Sequence, residues 1–105
     1  MVAPTDPNDP NEITACVLDE VSAERARQRA KGFDARWDGK ITPDDWHNNI
    51  AAYLGWARCM LGMGSPLKAR RRMIQVAAMA VANIESLDRR LGPGHLERFI
   101  GDIKS

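Results

Sequence analysis

Cysteine is scarce in this chain of 105 residues. Cys16 and Cys59 are too few for a disulfide framework, and neither has the spacing of a metal site. They read as reduced, cytosolic thiols. Long apolar runs are missing too. No stretch approaches the ~20 residues that a membrane-spanning helix needs. The opening MVAPTDPNDPNE is polar and acidic and lacks the apolar centre of a secretion signal, so a cytoplasmic location is expected. Charge of one sign is also absent, because 15 Lys and Arg offset 14 Asp and Glu to leave a net charge of +1. A protein that imitates DNA should be strongly negative and a duplex binder strongly basic, so direct nucleic-acid binding is not expected. Strand-type alternation does not occur, and there is no glycine-rich phosphate loop. Gly62-Met63-Gly64 reads as a helix break.

What is present is helical. A hydrophobic share of 44% suffices for one domain with a core of its own. Residues 1–11 hold three prolines and no apolar period, so they read as a flexible tail ahead of a domain over 12–105. A first helix is predicted from about Glu12 to Lys31, with Ile13, Val17 and Val21 at four-residue intervals. Its second half, ERARQRAK, reads as charged and solvated. Gly32 to Ile41 reads as a loop. Thr42-Pro43-Asp44-Asp45 is a strong start signal: Thr42 can cap, Pro43 fits the first turn, and two acids complement the helix dipole. This second helix should run to about Leu61. Ser65-Pro66 repeats the signal, and a third helix should end at Gly92-Pro93-Gly94. His95 to Ile103 reads as a short fourth helix with Leu96, Phe99, Ile100 and Ile103 on one face. The fold class is therefore all-α, a small bundle of three long helices and a short C-terminal one.

The second helix carries two apolar stripes. Ile50, Leu54, Ala57 and Leu61 have the spacing of a core face. Tyr53, Trp56, Met60 and Met63 form a second stripe, which either joins a larger core or makes a dimer seam or partner surface. The third helix is apolar nearly all round from Met73 to Ile84 and should be central to the bundle. Its start concentrates Lys68, Arg70, Arg71 and Arg72, where cations oppose the helix dipole. Acids on the first helix, a phosphate or an acidic partner are the candidates to offset them. Asp44 and Asp45 are accounted for by capping. His47 and His95 have no metal partner in sequence.

Three segments carry a resemblance: AERARQ (Ala23 to Gln28), WHNNIAAYLGWAR (Trp46 to Arg58) and RRRMIQVAAMAVANIESLDRR (Arg70 to Arg90). Together they resemble the MazG-like all-α nucleotide pyrophosphohydrolases, in particular the phage-borne dATP/dGTP pyrophosphohydrolase-like branch. That branch typically runs Trp, five residues, EExxE, and later REELIQVAAVAVA. Laid on this chain, the EExxE acids fall at Ala52, Tyr53 and Trp56, and the two Glu before LIQVAA fall at Arg71 and Arg72. Gln75 matches the Gln of the motif. Of the family's KWG segment only Lys31-Gly32 remains. Mg²⁺ requires hard oxygen ligands, which alanine and tryptophan do not offer, and arginine repels the cation.

The resemblance thus implies an enzyme scaffold stripped of its metal ligands: no catalytic residues, no metal and no cofactor. The expectation is a non-catalytic, phage-type protein acting in the bacterial host cell. It would block a bacterial defence complex in the manner of anti-CRISPR proteins, which bind Cas subunits. Tyr53, Trp56, Arg58, Arg71 and Arg72 are the expected partner-binding residues, and a homodimer is open. The alternatives are a nucleotide-binding sensor and a divergent Mg²⁺-dependent pyrophosphohydrolase.

Overall fold

The computed structural model describes residues 6–32 and 42–92. Three helices make up nearly all of them: α1 (Pro10–Ala30), α2 (Pro43–Gly62) and α3 (Pro66–Leu91). No strand occurs among the described residues. The short helix expected over His95 to Ile103 lies outside them.

Each helix begins at a proline that follows a polar residue. Proline fits the first helical position because its missing N–H would have no partner there. In α1 the cap is Asp9, whose Oδ1 accepts from the backbone N–H groups of Asn11 (2.9 Å) and Glu12 (3.4 Å). The helix therefore starts two residues before the expected Glu12 and takes in the end of the expected tail. In α2, Thr42 and Asp45 form a reciprocal capping box. The Asp45 N–H donates to Thr42 Oγ1 (3.2 Å), and the Thr42 N–H donates to Asp45 Oδ2 (3.0 Å). The backbone bond from Thr42 and the bond from its hydroxyl hold the Asp45 carboxyl below its ordinary range. Ser65 occupies the cap position of α3 but its side chain makes no capping bond. At the far end Gly92 stops α3 with φ +80°, a left-handed conformation that favours glycine.

α3 is the central helix. α2 packs along one side of it and α1 along another, while α1 and α2 barely meet. α2 returns antiparallel to α3 after the turn at Met63–Ser65, and Trp46 near its start reaches Met79 and Ala82. α1 runs parallel to α3: Glu20 pairs with Arg70, and Arg25 with Glu85. The core is correspondingly split. Trp46, Met79 and Ala82 form one cluster, edged by Ile50, Tyr53 and Val76. Val21, Ile74 and Ala78 form the other, edged by Ala77.

Two expectations are corrected here. The core stripe of α2 is Trp46, Ile50, Tyr53 and Ala57, not Ile50, Leu54, Ala57 and Leu61; Leu54 is 49% exposed and Leu61 62%. Both stripes have helical spacing and share Ile50 and Ala57. Burial of the Trp46 indole turns the helix so that the Leu54 and Leu61 face looks outward. The second half of α1 is not simply solvated. Glu24 and Arg25 are buried, 3% and 4% exposed.

Candidate functional site: a cation-lined cleft

The face of α2 that carries Trp46, Tyr53, Trp56 and Met60 overlooks a cleft between α1 and α3. Its outer part, about 520 Å³, is lined by Arg27, Lys31, Trp56, Met60, Lys68, Arg71, Arg72 and Gln75. An inner part of about 300 Å³ shares Arg27, Lys31 and Gln75 and adds Glu24, Gln28, Trp46, Asn49, Tyr53 and Met79. All three helices contribute, so the cleft exists only in the packed bundle.

The cations divide into two groups. Arg70 and Arg71 are satisfied by α1. Arg70 grips Glu20 with both terminal nitrogens (2.7 and 2.9 Å), and this side-chain pairing holds the Glu20 carboxyl below its ordinary range. Arg71 Nη1 lies 2.7 Å from Glu24 Oε1, and Arg27 holds the same carboxylate from the other side at 2.7 Å. Acids on the first helix therefore offset half of the basic cluster. Lys31, Lys68 and Arg72 line the outer cleft and make no ion pair with a carboxylate among the described residues. Arg72 is instead held by neutral groups. Its Nη1 donates to Gln75 Oε1 (2.8 Å), and its guanidinium carbon lies 3.8 Å from the centroid of the Trp56 ring. Tyr53 meets Trp56 edge-on, with centroids 5.8 Å apart and planes at 69°.

Four of the five expected partner-binding residues thus converge. Tyr53, Trp56 and Arg72 touch in series, Tyr53 edge-on to the indole and Arg72 over its face, and Arg71 lies beside them. Trp56 is 44% exposed, whereas Tyr53 is partly buried against the core. Arg58 is exposed and does not line the cleft. It follows Trp56 by two residues, which turns it about 200° around α2. Ala52 is exposed and also stands outside the cleft.

Sequence reasoning missed Glu24, Arg27 and Lys31. The signal was there: Val17, Val21, Glu24 and Gln28 follow one another at intervals of four, three and four, so the stripe of Val17 and Val21 leads directly into Glu24. Burial of that carboxylate is tolerated because two guanidinium groups reach it.

The chemistry available is anion recognition beside an aromatic wall. Among the described residues no group of three or more His, Cys, Asp or Glu is placed to hold a metal ion. Nor is any helix among them long and apolar enough to cross a membrane. Compared with known proteins, the chain matches no family model, no curated protein and no solved structure.

Proposed function

We propose that this protein acts by binding, as a stoichiometric blocker of a protein partner that inserts an acidic group into the cation-lined cleft. One observation carries the reading: Arg72, without a carboxylate partner among the described residues, is stacked on an exposed Trp56 at the rim of a cleft that also presents Lys31 and Lys68. Aromatic and arginine anchors dominate protein interfaces, and a guanidinium already held in place loses little freedom on capturing a carboxylate. Tyr53, Trp56, Arg71 and Arg72 form the contact face, with Arg27 and Lys31 behind them. The resemblance to a phage-borne scaffold without its metal acids favours a bacterial defence complex as the target, a Cas subunit among the candidates.

The test is inhibition of purified defence complexes by the wild type, Trp56→Ala and Arg72→Glu, with helix content followed by circular dichroism. Folded variants that lose ~30-fold or more in affinity support this surface, that loss being the usual effect of truncating an anchor residue. Folded variants that inhibit like the wild type exclude it.

A second reading is a nucleotide-binding sensor. The aromatic pair and the cations Lys31, Lys68 and Arg72, which pair with no carboxylate among the described residues, suit a base and its phosphates, and a cleft of about 520 Å³ has the size of a small-molecule site. Calorimetric titration with dATP and dGTP, with and without Mg²⁺, separates the two. Heat that saturates with nucleotide and disappears in Arg72→Glu favours the sensor. Chelator-sensitive turnover would instead identify a divergent pyrophosphohydrolase.

A further inference from the structure

We infer that the outward face of α3 is the seam of a homodimer, in which two copies of this helix pack antiparallel about a twofold axis level with Ala82. The seam is built by Met73, Ala77, Ala80, Ile84, Leu87 and Leu91, which follow one another at intervals of four, three, four, three and four. That is the repeat with which two helices interlock along a coiled-coil seam. Core-facing Ile74, Ala78 and Ala82 lie on the other side of the helix, and Ala77 stands at the border, where it also edges the Val21–Ile74–Ala78 cluster. The stripe stands open to solvent at its largest members: Leu91 is 65% exposed, Ile84 57%, Met73 44% and Leu87 37%.

The stripe complements itself. With the axis level with Ala82, Met73 faces Leu91 of the second copy, Ala77 faces Leu87, and Ala80 faces Ile84. Each alanine meets a large aliphatic side chain, the small-against-large alternation that fills a seam without voids. A parallel pairing would set alanine against alanine in two successive layers and leave gaps there.

The area is adequate. From Met73 to Leu91 the stripe is about 27 Å long at 1.5 Å per residue. A strip of that length and helix-packing width buries roughly 500 Å² on each copy, near the ~1,000 Å² total at which an interface becomes specific. The need for cover is visible in the monomer, where four of the thirteen large apolar residues exposed among the described residues lie on this one stripe.

The seam also sets the valency of the protein. Lys68, Arg71, Arg72 and Gln75 lie on the side of α3 away from the stripe, by the helical positions of their residues. The dimer would therefore hold two clefts facing outward and could engage two acidic sites at once.

Analytical ultracentrifugation of the full chain between ~1 and ~100 µM tests the seam, with Ile84→Glu as the disrupting variant and circular dichroism as the fold control. The substitution acts twice in a symmetric dimer, so a ~30-fold loss per site becomes a ~1,000-fold rise in Kd. Cross-linking gives the register in a chain that carries Cys16→Ser and Cys59→Ser. Met73→Cys with Leu91→Cys should join two chains under mild oxidation, whereas Leu91→Cys alone should not, because the axis holds those two positions about 27 Å apart. A wild type that stays monomeric, a dimer that survives Ile84→Glu, or cross-linking by Leu91→Cys alone overturns the inference. If Ile84→Glu unfolds the chain, the cross-link decides. Its formation marks an obligate dimer, and its absence means that the chain covers this face itself.

Discussion

Arg72 places its guanidinium carbon 3.8 Å from the centroid of the Trp56 ring, across the gap between two helices that run in opposite directions. Gln75, one turn further along α3, accepts a hydrogen bond from the same guanidinium and fixes its tilt. The pair is a contact between the two helices and also the most exposed aromatic surface of the cleft.

The two tryptophans on α2 should behave differently. Trp46 is 3% exposed and packs on Met79 and Ala82; Trp56 is 44% exposed. Trp46→Ala is expected to cost ~3–5 kcal/mol, the usual effect of emptying a core site. Trp56→Ala should cost ~1 kcal/mol, from the lost cation–π contact and a partly exposed ring. Urea unfolding followed by circular dichroism measures both. A Trp56→Ala loss as large as that of Trp46→Ala would place the ring in the core.

Acid should loosen the joint between α1 and α3. Partial burial would raise the Glu85 carboxyl, but hydrogen bonds from Arg25 and Arg29 outweigh it and hold the group below its ordinary 4.5. A depressed folded value contributes stability that is present above about pH 4.5 and is lost as pH falls through the folded value. Unfolding midpoints measured between pH 7 and pH 3 should therefore drop more steeply in the wild type than in Glu85→Gln. Equal slopes would show that this carboxylate does not couple to folding.

Glu24 competes with any anion that enters the cleft, because Arg27 and Arg71 both spend their charge on it. Glu24→Gln should keep the fold, lower stability by ~1 kcal/mol, and strengthen binding of an acidic partner several-fold at low salt. Affinity measured against salt concentration checks this. A weaker complex would mean that Glu24 positions Arg71 and does not compete with the ligand.

Asn83 contains a local conflict. Its Oδ1 is buried on α3 with no hydrogen-bond partner among the described residues. Leaving such a group unpaired costs ~1–3 kcal/mol, so Asn83→Ala should be neutral or stabilising, against the usual trend for buried positions. Thermal unfolding gives the sign, and a clear loss of stability would indicate that the amide is satisfied in solution.

The amino-acid sequence by itself determined the three long helices and most of their limits, the start of α1 at Pro10 excepted. Thr42-Pro43, Ser65-Pro66 and Gly92 mark ends through local geometry, in which each residue acts on its own turn. The shared face of Tyr53 and Trp56, three residues apart on α2, was also legible, whereas Arg71 and Arg72 point about 100° apart on α3 and only the packing of the three helices brings both to the cleft. Which face of α2 would point inward was not legible. Trp46–Ile50–Tyr53–Ala57 and Ile50–Leu54–Ala57–Leu61 are equally periodic, and only packing against Met79 and Ala82 chose between them. The same holds for charge. ERARQRAK looks solvated in isolation, yet parallel packing of α1 on α3 brings its Glu24 to Arg71 and its Arg25 to Glu85, about fifty to sixty residues away in the chain. Periodicity fixes what a helix can bury, whereas the partner that arrives from elsewhere in the chain fixes what it does bury.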